Sequence, residues 1–156
     1  MYGDRSDFPA ACEKPWPVED GGADLVIAQS VWTHLKQVDA AWYLKEAARV
    51  LRPGGRLLVS FFLLDWHTEG AGVDVAPGGF IQPYDGGDPE VTRCITPKVP
   101  ELAVGYTEAW VVVTATAAGL HRLHGVAGVW GPLRNGAPAA QRGLDEQDIL
   151  VFRKEG

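Results

Sequence analysis

The sequence predicts an α/β fold built on a sheet of about four strands. Three observations predict it. Residues 24–28, Asp-Leu-Val-Ile-Ala, form a short apolar run rich in branched side chains, as in a strand buried on both faces. Apolar residues then recur with a helical period over 38–51. A second apolar run, Leu-Leu-Val-Ser-Phe-Phe within 56–64, follows a Pro-Gly-Gly turn at once. Strand, helix and strand in this order make a βαβ unit with parallel strands.

Within 38–51, Ala40, Tyr43, Leu44, Ala47, Ala48 and Leu51 share one face, with Lys45, Glu46 and Arg49 on the other. Glu46 pairs with Arg49 one turn on. Pro53 cannot continue the helix and Gly54 and Gly55 accept a left-handed turn, so the helix stops there. Thr107 is placed to cap a second helix running to Ala118, with Glu108 in its first turn and Gly119 as its stop. The β-branched residues at 111–114 weigh against that helix, because they lose side-chain freedom in it. Residues 120–129 read as a third strand and 148–153, Asp-Ile-Leu-Val-Phe-Arg, as the last.

The chain has 156 residues, 46% hydrophobic and 22% charged, enough for one domain with a core. Of its 19 glycines and 11 prolines, most lie in 73–100 and 125–143, which read as long loops. The organisation expected is a single domain over 1–156. Residues 1–22 are irregular, 23–64 form the βαβ unit, 65–105 a long loop, and 106–156 a helix and the last strands. The net charge of -6 and the lack of a basic block argue against a phosphate-tracking nucleic-acid surface and leave room only for a local basic groove. The longest apolar stretch, 57–64, is too short to cross a bilayer. Asp4, Arg5 and Asp7 leave no apolar run for a signal peptide. Cys12 and Cys94 form no C-x-x-C pair and read as free thiols of a reducing cytosol rather than a disulfide. The location expected is cytoplasmic.

DLVIAQSVWTHL, beginning at Asp24, and YLKEAARVLRPGGRLLVSFF, beginning at Tyr43, together carry a specific pattern. It resembles the region around the fourth and fifth strands of class I S-adenosylmethionine-dependent methyltransferases. Asp24 matches the acid that opens the family's fourth strand. Glu46, Arg49, Val50, Leu51, Arg52, Pro53, Gly54 and Gly55 match its E-x-x-R-V-L-R-P-G-G helix end. Trp16-Pro17-Val18-Glu19-Asp20-Gly21 is similar to its L-P-F-x-D-G loop. Gly119-Leu120, residues 128–130 and Gln147-Asp148-Ile149-Leu150 resemble the last strands of a small-molecule subgroup.

The resemblance implies a partial Rossmann-like methyltransferase sheet, its last strand antiparallel, lacking the family's first three strands. The chain would be the C-terminal half of the domain. The implied cofactor is S-adenosyl-L-methionine and the implied partner a small-molecule methyl acceptor. Two family features have no match: the G-x-G-x-G turn after the first strand, and the acid that binds the ribose. Gly3 and the pair Gly21-Gly22 lack both a preceding strand and a following helix. Gly54-Gly55 runs from helix into strand, whereas a cofactor-cradling loop runs from strand into helix. Cofactor binding by this chain alone is therefore expected to be weak or absent.

Candidate site residues follow from position and resemblance. Gln29, Ser30 and Val31 lie past the carboxyl end of the first strand, where open α/β sheets bind ligands. They either contact the cofactor or cap the strand. Glu13 lies near a family acid that contacts adenine, although the best alignment puts Cys12 there. His34 is the catalytic candidate, as a general base or substrate-orienting group, against a helix-flanking residue bonded to a carbonyl. Trp32 and Thr33 are candidate substrate contacts, Trp32 as a pocket wall or a surface aromatic. Tyr84 and Tyr106 are placed by the resemblance where a substrate pocket is shaped, against loop filler. No metal is expected, since His121 and His124 would point to opposite faces of a strand.

The reading favoured is methyl transfer by an incomplete chain. The alternative is a non-catalytic half-domain that pairs with itself or with a complementary N-terminal half. An unrelated nucleotide-binding α/β protein would need a Gly-rich strand-to-helix turn, which is not found. With no partner on one side, strand 24–28 is expected to support self-association.

Overall fold

A Pro-Gly-Gly segment decides how the first helix and the second strand join. In the computed structural model, which describes residues 14–66, 80, 82–128 and 147–156, helix α1 spans Gln37–Val50 and strand β2 Leu51–Phe61. The helix ends earlier than the turn residues suggest. Arg52 precedes Pro53 and is disfavoured in the helical region, and extended backbone begins one residue sooner, at Leu51 (φ -71°, ψ 136°). Strand β1, Ala23–Ala28, pairs with β2 in parallel, and the register jumps from Ala23↔Leu51 to Leu25↔Arg56. Gly54 makes the jump at φ 79°. A Cβ on Gly55 would lie 2.9 Å from the Arg52 carbonyl oxygen and 3.1 Å from that of Asp24.

Strands β3 (Thr92–Cys94) and β4 (Val104–Tyr106) pair antiparallel inside the segment expected as a long loop. Thr92 Oγ1 donates to the Gly105 carbonyl at 2.8 Å, and the Tyr106 N–H donates to Phe62 O at 2.9 Å. Helix α2 covers Glu108–Ala117, and Gly119 ends it at φ 86°. Thr107 occupies the N-cap position without a side-chain bond to the helix. The Asp65 carboxylate accepts the Glu108 N–H instead. Strands β5 (Leu120–Val126) and β6 (Asp148–Lys154) complete the main sheet, whose order is β1-β2-β6-β5 with β6 antiparallel to both neighbours. The fold is thus α/β with a mixed four-stranded sheet.

The two faces of this sheet differ. Leu57, Val59, Phe61, Leu150 and Phe152 are fully buried against α1 and α2, with Leu44, Ala47, Val111 and Ala115 in the same core. Alternation along the strands sends Leu25, Ile27 and Leu58 to the opposite face. There Leu25 is 52% and Ile27 63% exposed. Among the described residues β1 is an edge strand. No helix among them is long and apolar enough to cross a membrane.

Glu46, expected on the outer side of α1, is buried because the segment from Trp16 to Asp20 folds over it. Its carboxylate accepts the Trp16 N–H at 2.7 Å and pairs with Arg49 at 2.8 and 2.9 Å. Arg49 also donates to the Trp16 and Val18 carbonyls and to Asp20. The guanidinium holds the Glu46 carboxyl below its ordinary range.

Candidate functional site at the carboxyl ends of the strands

Strand β1 ends at Ala28, beside Val59, and the chain then turns through Gln29 and Ser30. Ser30 has φ 54°, the one positive φ outside glycine among the described residues. Three hydrogen bonds join it to the ends of two other strands. Its N–H donates to Ser60 Oγ at 2.8 Å. Ser60 donates to Gln147 Oε1 at 2.6 Å. Gln147 Nε2 donates to Ser30 Oγ at 2.9 Å. Next to Gln147, the fully buried Asp148 accepts the Leu63 and Gly128 N–H groups, each at 2.8 Å. Buried carboxylate oxygens bonded to backbone donors avoid the large cost of unpaired charge, so the start of β6 is fixed against the end of β2.

Val31 follows, half-buried against the core. Residues Trp32–His34 form one 3-10 turn. Trp32 was expected to touch substrate, but its ring is fully buried, edge-on to Tyr43, and its indole donates to Ala40 O at 3.1 Å. Thr33 is fully buried too, and its hydroxyl has no partner. His34 is exposed, and its Nδ1 lies 2.8 Å from the Glu101 carbonyl oxygen. A carbonyl only accepts, so Nδ1 carries a hydrogen, and in the neutral ring the lone pair is on Nε2.

Tyr84 and Tyr106 are interior residues. The Tyr84 hydroxyl accepts the Gln37 N–H at 3.1 Å and lies 3.3 Å from Thr92 Oγ1. The Tyr106 hydroxyl donates to Leu35 O, and its ring stacks on Trp110. Burial pushes both phenols up, Tyr106 well above its ordinary 10.0. Tyr106 fastens β4 to the segment between β1 and α1, and Tyr84 links β3 to the first residue of α1, in place of the substrate contact expected of them. Glu13 and Cys12 lie outside the described residues. His121 bonds Glu155, and no group of three metal-ligating side chains occurs among the described residues. Ser30 lies at the strand end as the sequence predicts, and Ser60 and Gln147, which the sequence does not single out as site residues, bond to it. A serine inside the apolar run Leu-Leu-Val-Ser-Phe-Phe was the available signal.

A family model described as a methyltransferase domain matches residues 6–59, which include β1, Ser30, His34, α1 and most of β2. The chain is also similar in structure to a Methanosarcina mazei S-adenosylmethionine-dependent methyltransferase. The TM-score is 0.60 at 17% identity, over 94% of this chain and 65% of that one. The segment 6–59 thus matches a methyltransferase domain, and the fold is that of S-adenosylmethionine-dependent methyltransferases.

Two further structures share the methyltransferase fold. The 1,6-didemethyltoxoflavin-N1-methyltransferase of Burkholderia thailandensis, with bound 1,6-didemethyltoxoflavin and S-adenosylhomocysteine, gives a TM-score of 0.55 at 15% identity, over 94% of this chain and 48% of that one. A Haloferax volcanii methyltransferase in complex with the Trm112 activator gives 0.53 at 14%, over 95% of this chain and 60% of that one. The chain thus spans about half to two thirds of the length of these methyltransferases.

Proposed function

We propose that this chain supplies the acceptor-facing part of an enzyme that methylates a small molecule with S-adenosyl-L-methionine. The observation that carries the proposal is the placement of the matched segment. It delivers Gln29 and Ser30 to the carboxyl ends of β1 and β2, where open α/β sheets bind ligands, with His34 at the end of the 3-10 turn that follows. The Burkholderia relative, which holds a small heterocycle with S-adenosylhomocysteine, supports the substrate class. The net charge of -6 supports it against nucleic acid. The reading places the protein in the cytoplasm, where Cys94 stays a thiol.

The bound sulfonium would supply an electrophilic methyl group. Among the described residues no Gly-rich turn leads from a strand into a helix to hold such a ligand. What this chain's residues do is align and accept protons. His34 offers a lone pair at Nε2 to the acceptor's proton. Ser30 offers a hydroxyl at the strand end. Trp32, Thr33, Tyr84 and Tyr106 act from inside by holding this rim, which sets the orientation of the reactants.

A second reading rests on a different observation. Among the described residues strand β1 is an edge with Leu25 and Ile27 exposed, so in this reading the chain pairs along it with a second copy or with a complementary half. The two readings separate on ligand binding. The chain is titrated calorimetrically with S-adenosylhomocysteine, alone and fused behind the Gly-rich half of a matched methyltransferase. Binding is expected only in the fusion, and Ser30→Ala or His34→Ala should weaken turnover there without lowering Tm. Micromolar binding by the chain alone would overturn the account of what it lacks. No binding by a folded fusion would leave the pairing role.

A further inference from the structure

Three hydrogen bonds close a ring at the end of β1. The Ser30 N–H can only donate, and it donates to Ser60 Oγ. Ser60 Oγ donates its own hydrogen to Gln147 Oε1 at 2.6 Å. This orients the Gln147 amide, so that Nε2 faces Ser30 Oγ and donates to it. Every member donates within the ring, but Ser30 does so through its backbone. Its Oγ only accepts, and its hydroxyl hydrogen is left over on an exposed residue.

The geometry points to Ser60 and Gln147 as positioning residues that hold Ser30 at positive φ and turn its hydroxyl hydrogen outward, as a donor to a carboxylate or carbonyl oxygen of a ligand. This rests on reading the rim as a ligand site, as proposed above. The backbone bond from position 30 to Ser60 needs no serine, since glycine takes φ 54° without strain. Serine there adds a hydroxyl whose partner bonds are already assigned. Backbone strain of this kind concentrates at functional sites. The two residues that bear on it are themselves fixed. Ser60 is 1% exposed within β2, and Gln147 directly precedes the pinned Asp148.

NMR on the full chain tests the inference without cofactor. Ser60→Ala should move the Ser30 Cα and Cβ shifts away from left-handed values, and Ser60→Thr, which keeps the hydroxyl, should restore them. Gln147→Glu replaces the donor by an acceptor, so the leftover Ser30 hydrogen turns inward to the new carboxylate. That carboxylate should titrate about half a unit lower than in the Gln147→Glu, Ser30→Ala double variant. Acetate, as the probe, should shift the Ser30 amide in the parent and not in Gln147→Glu. An unchanged Ser30 backbone in Ser60→Ala, equal titration in the single and double variants, no acetate response in the parent, or equal response in Gln147→Glu each overturns the inference. The titrations with S-adenosylhomocysteine judge the methyltransferase reading separately, since none of these measurements uses that ligand.

Discussion

Asp65 accepts the backbone N–H of Glu108 through both carboxylate oxygens, at 3.0 and 3.1 Å. The first turn of α2 is thus capped from a residue more than forty positions away. An anion there also meets the positive end of the helix. Asp65→Ala is expected to lower stability by about 1 kcal/mol, the usual worth of an N-cap. Thr107→Ala, at the position the sequence favoured, should change it by less than about 0.5 kcal/mol. Urea unfolding of the two variants checks the contrast.

Gly54 and Gly55 differ in why they are glycine. At Gly54 the backbone sits at φ 79° with open space around a would-be Cβ. Gly54→Ala should cost about 1 kcal/mol of backbone strain. At Gly55 the same substitution drives a methyl into two carbonyl oxygens, neither of which can move without opening the β1–β2 ladder. Gly55→Ala should cost more, about 2–3 kcal/mol, and Tm should rank parent, Gly54→Ala, Gly55→Ala in falling order.

Tyr106 makes stability fall in alkali. Its folded pKa lies well above the ordinary 10.0 because burial penalises the phenolate. The group therefore ionises in the unfolded chain first, and stability drops as pH rises past about 10. Tyr106→Phe loses the bond to Leu35 O, about 1 kcal/mol at pH 7. It should also show a shallower loss above pH 10, with Tyr84 supplying the remainder. Chemical denaturation at pH 7, 9 and 11 reads both effects.

Glu46 acts at the other end of the pH scale. Arg49 lowers its folded pKa below the ordinary 4.5, so its contribution is present above that value and lost as pH falls through the folded one. Glu46→Gln should lower stability at pH 7 by roughly 2 kcal/mol, between the exposed and buried limits for ion pairs. Its stability should also decline less than the parent's below pH 4.5. Loss of tryptophan fluorescence anisotropy at Trp16, in a chain with the other tryptophans replaced, would report release of the loop.

What the sequence made legible was whatever repeats with a local period. Ala40, Leu44, Ala47 and Ala48 gave α1, and the branched runs gave β1, β2 and β6. The β3–β4 hairpin was not legible, because Thr-Arg-Cys and Val-Gly-Tyr are too short to show alternation and are held by distant partners such as Phe62 and Leu35. The same limit applies to the site. Ser30 could be placed from its neighbours in the chain, but Ser60 and Gln147 reach it from 30 and 117 residues away. Trp32, read as a pocket wall or surface ring, is core because Tyr43 of α1 and Phe61 of β2 converge on it, which no local pattern encodes.

The exposed side of β1 gives the last prediction. Leu25 and Ile27 present branched side chains on one face, and the strand's single charge, Asp24, is already paired with its own neighbour Arg52. Edge strands without charge or proline invite another strand. Antiparallel pairing of two β1 strands about Val26 would set Leu25 beside Ile27 of the second copy, twice. It would also keep the two Asp24 carboxylates about 13 Å apart, four residues of strand. Parallel pairing would put them side by side, so the antiparallel arrangement is favoured. Light scattering after size exclusion should show mass rising with concentration in the parent. Ile27→Lys, at a position 63% exposed, should stay monomeric, with stability changed by no more than about 0.5 kcal/mol. A parent that is monomeric at all concentrations would mean that this edge is covered within the chain, and the pairing role would fall with it.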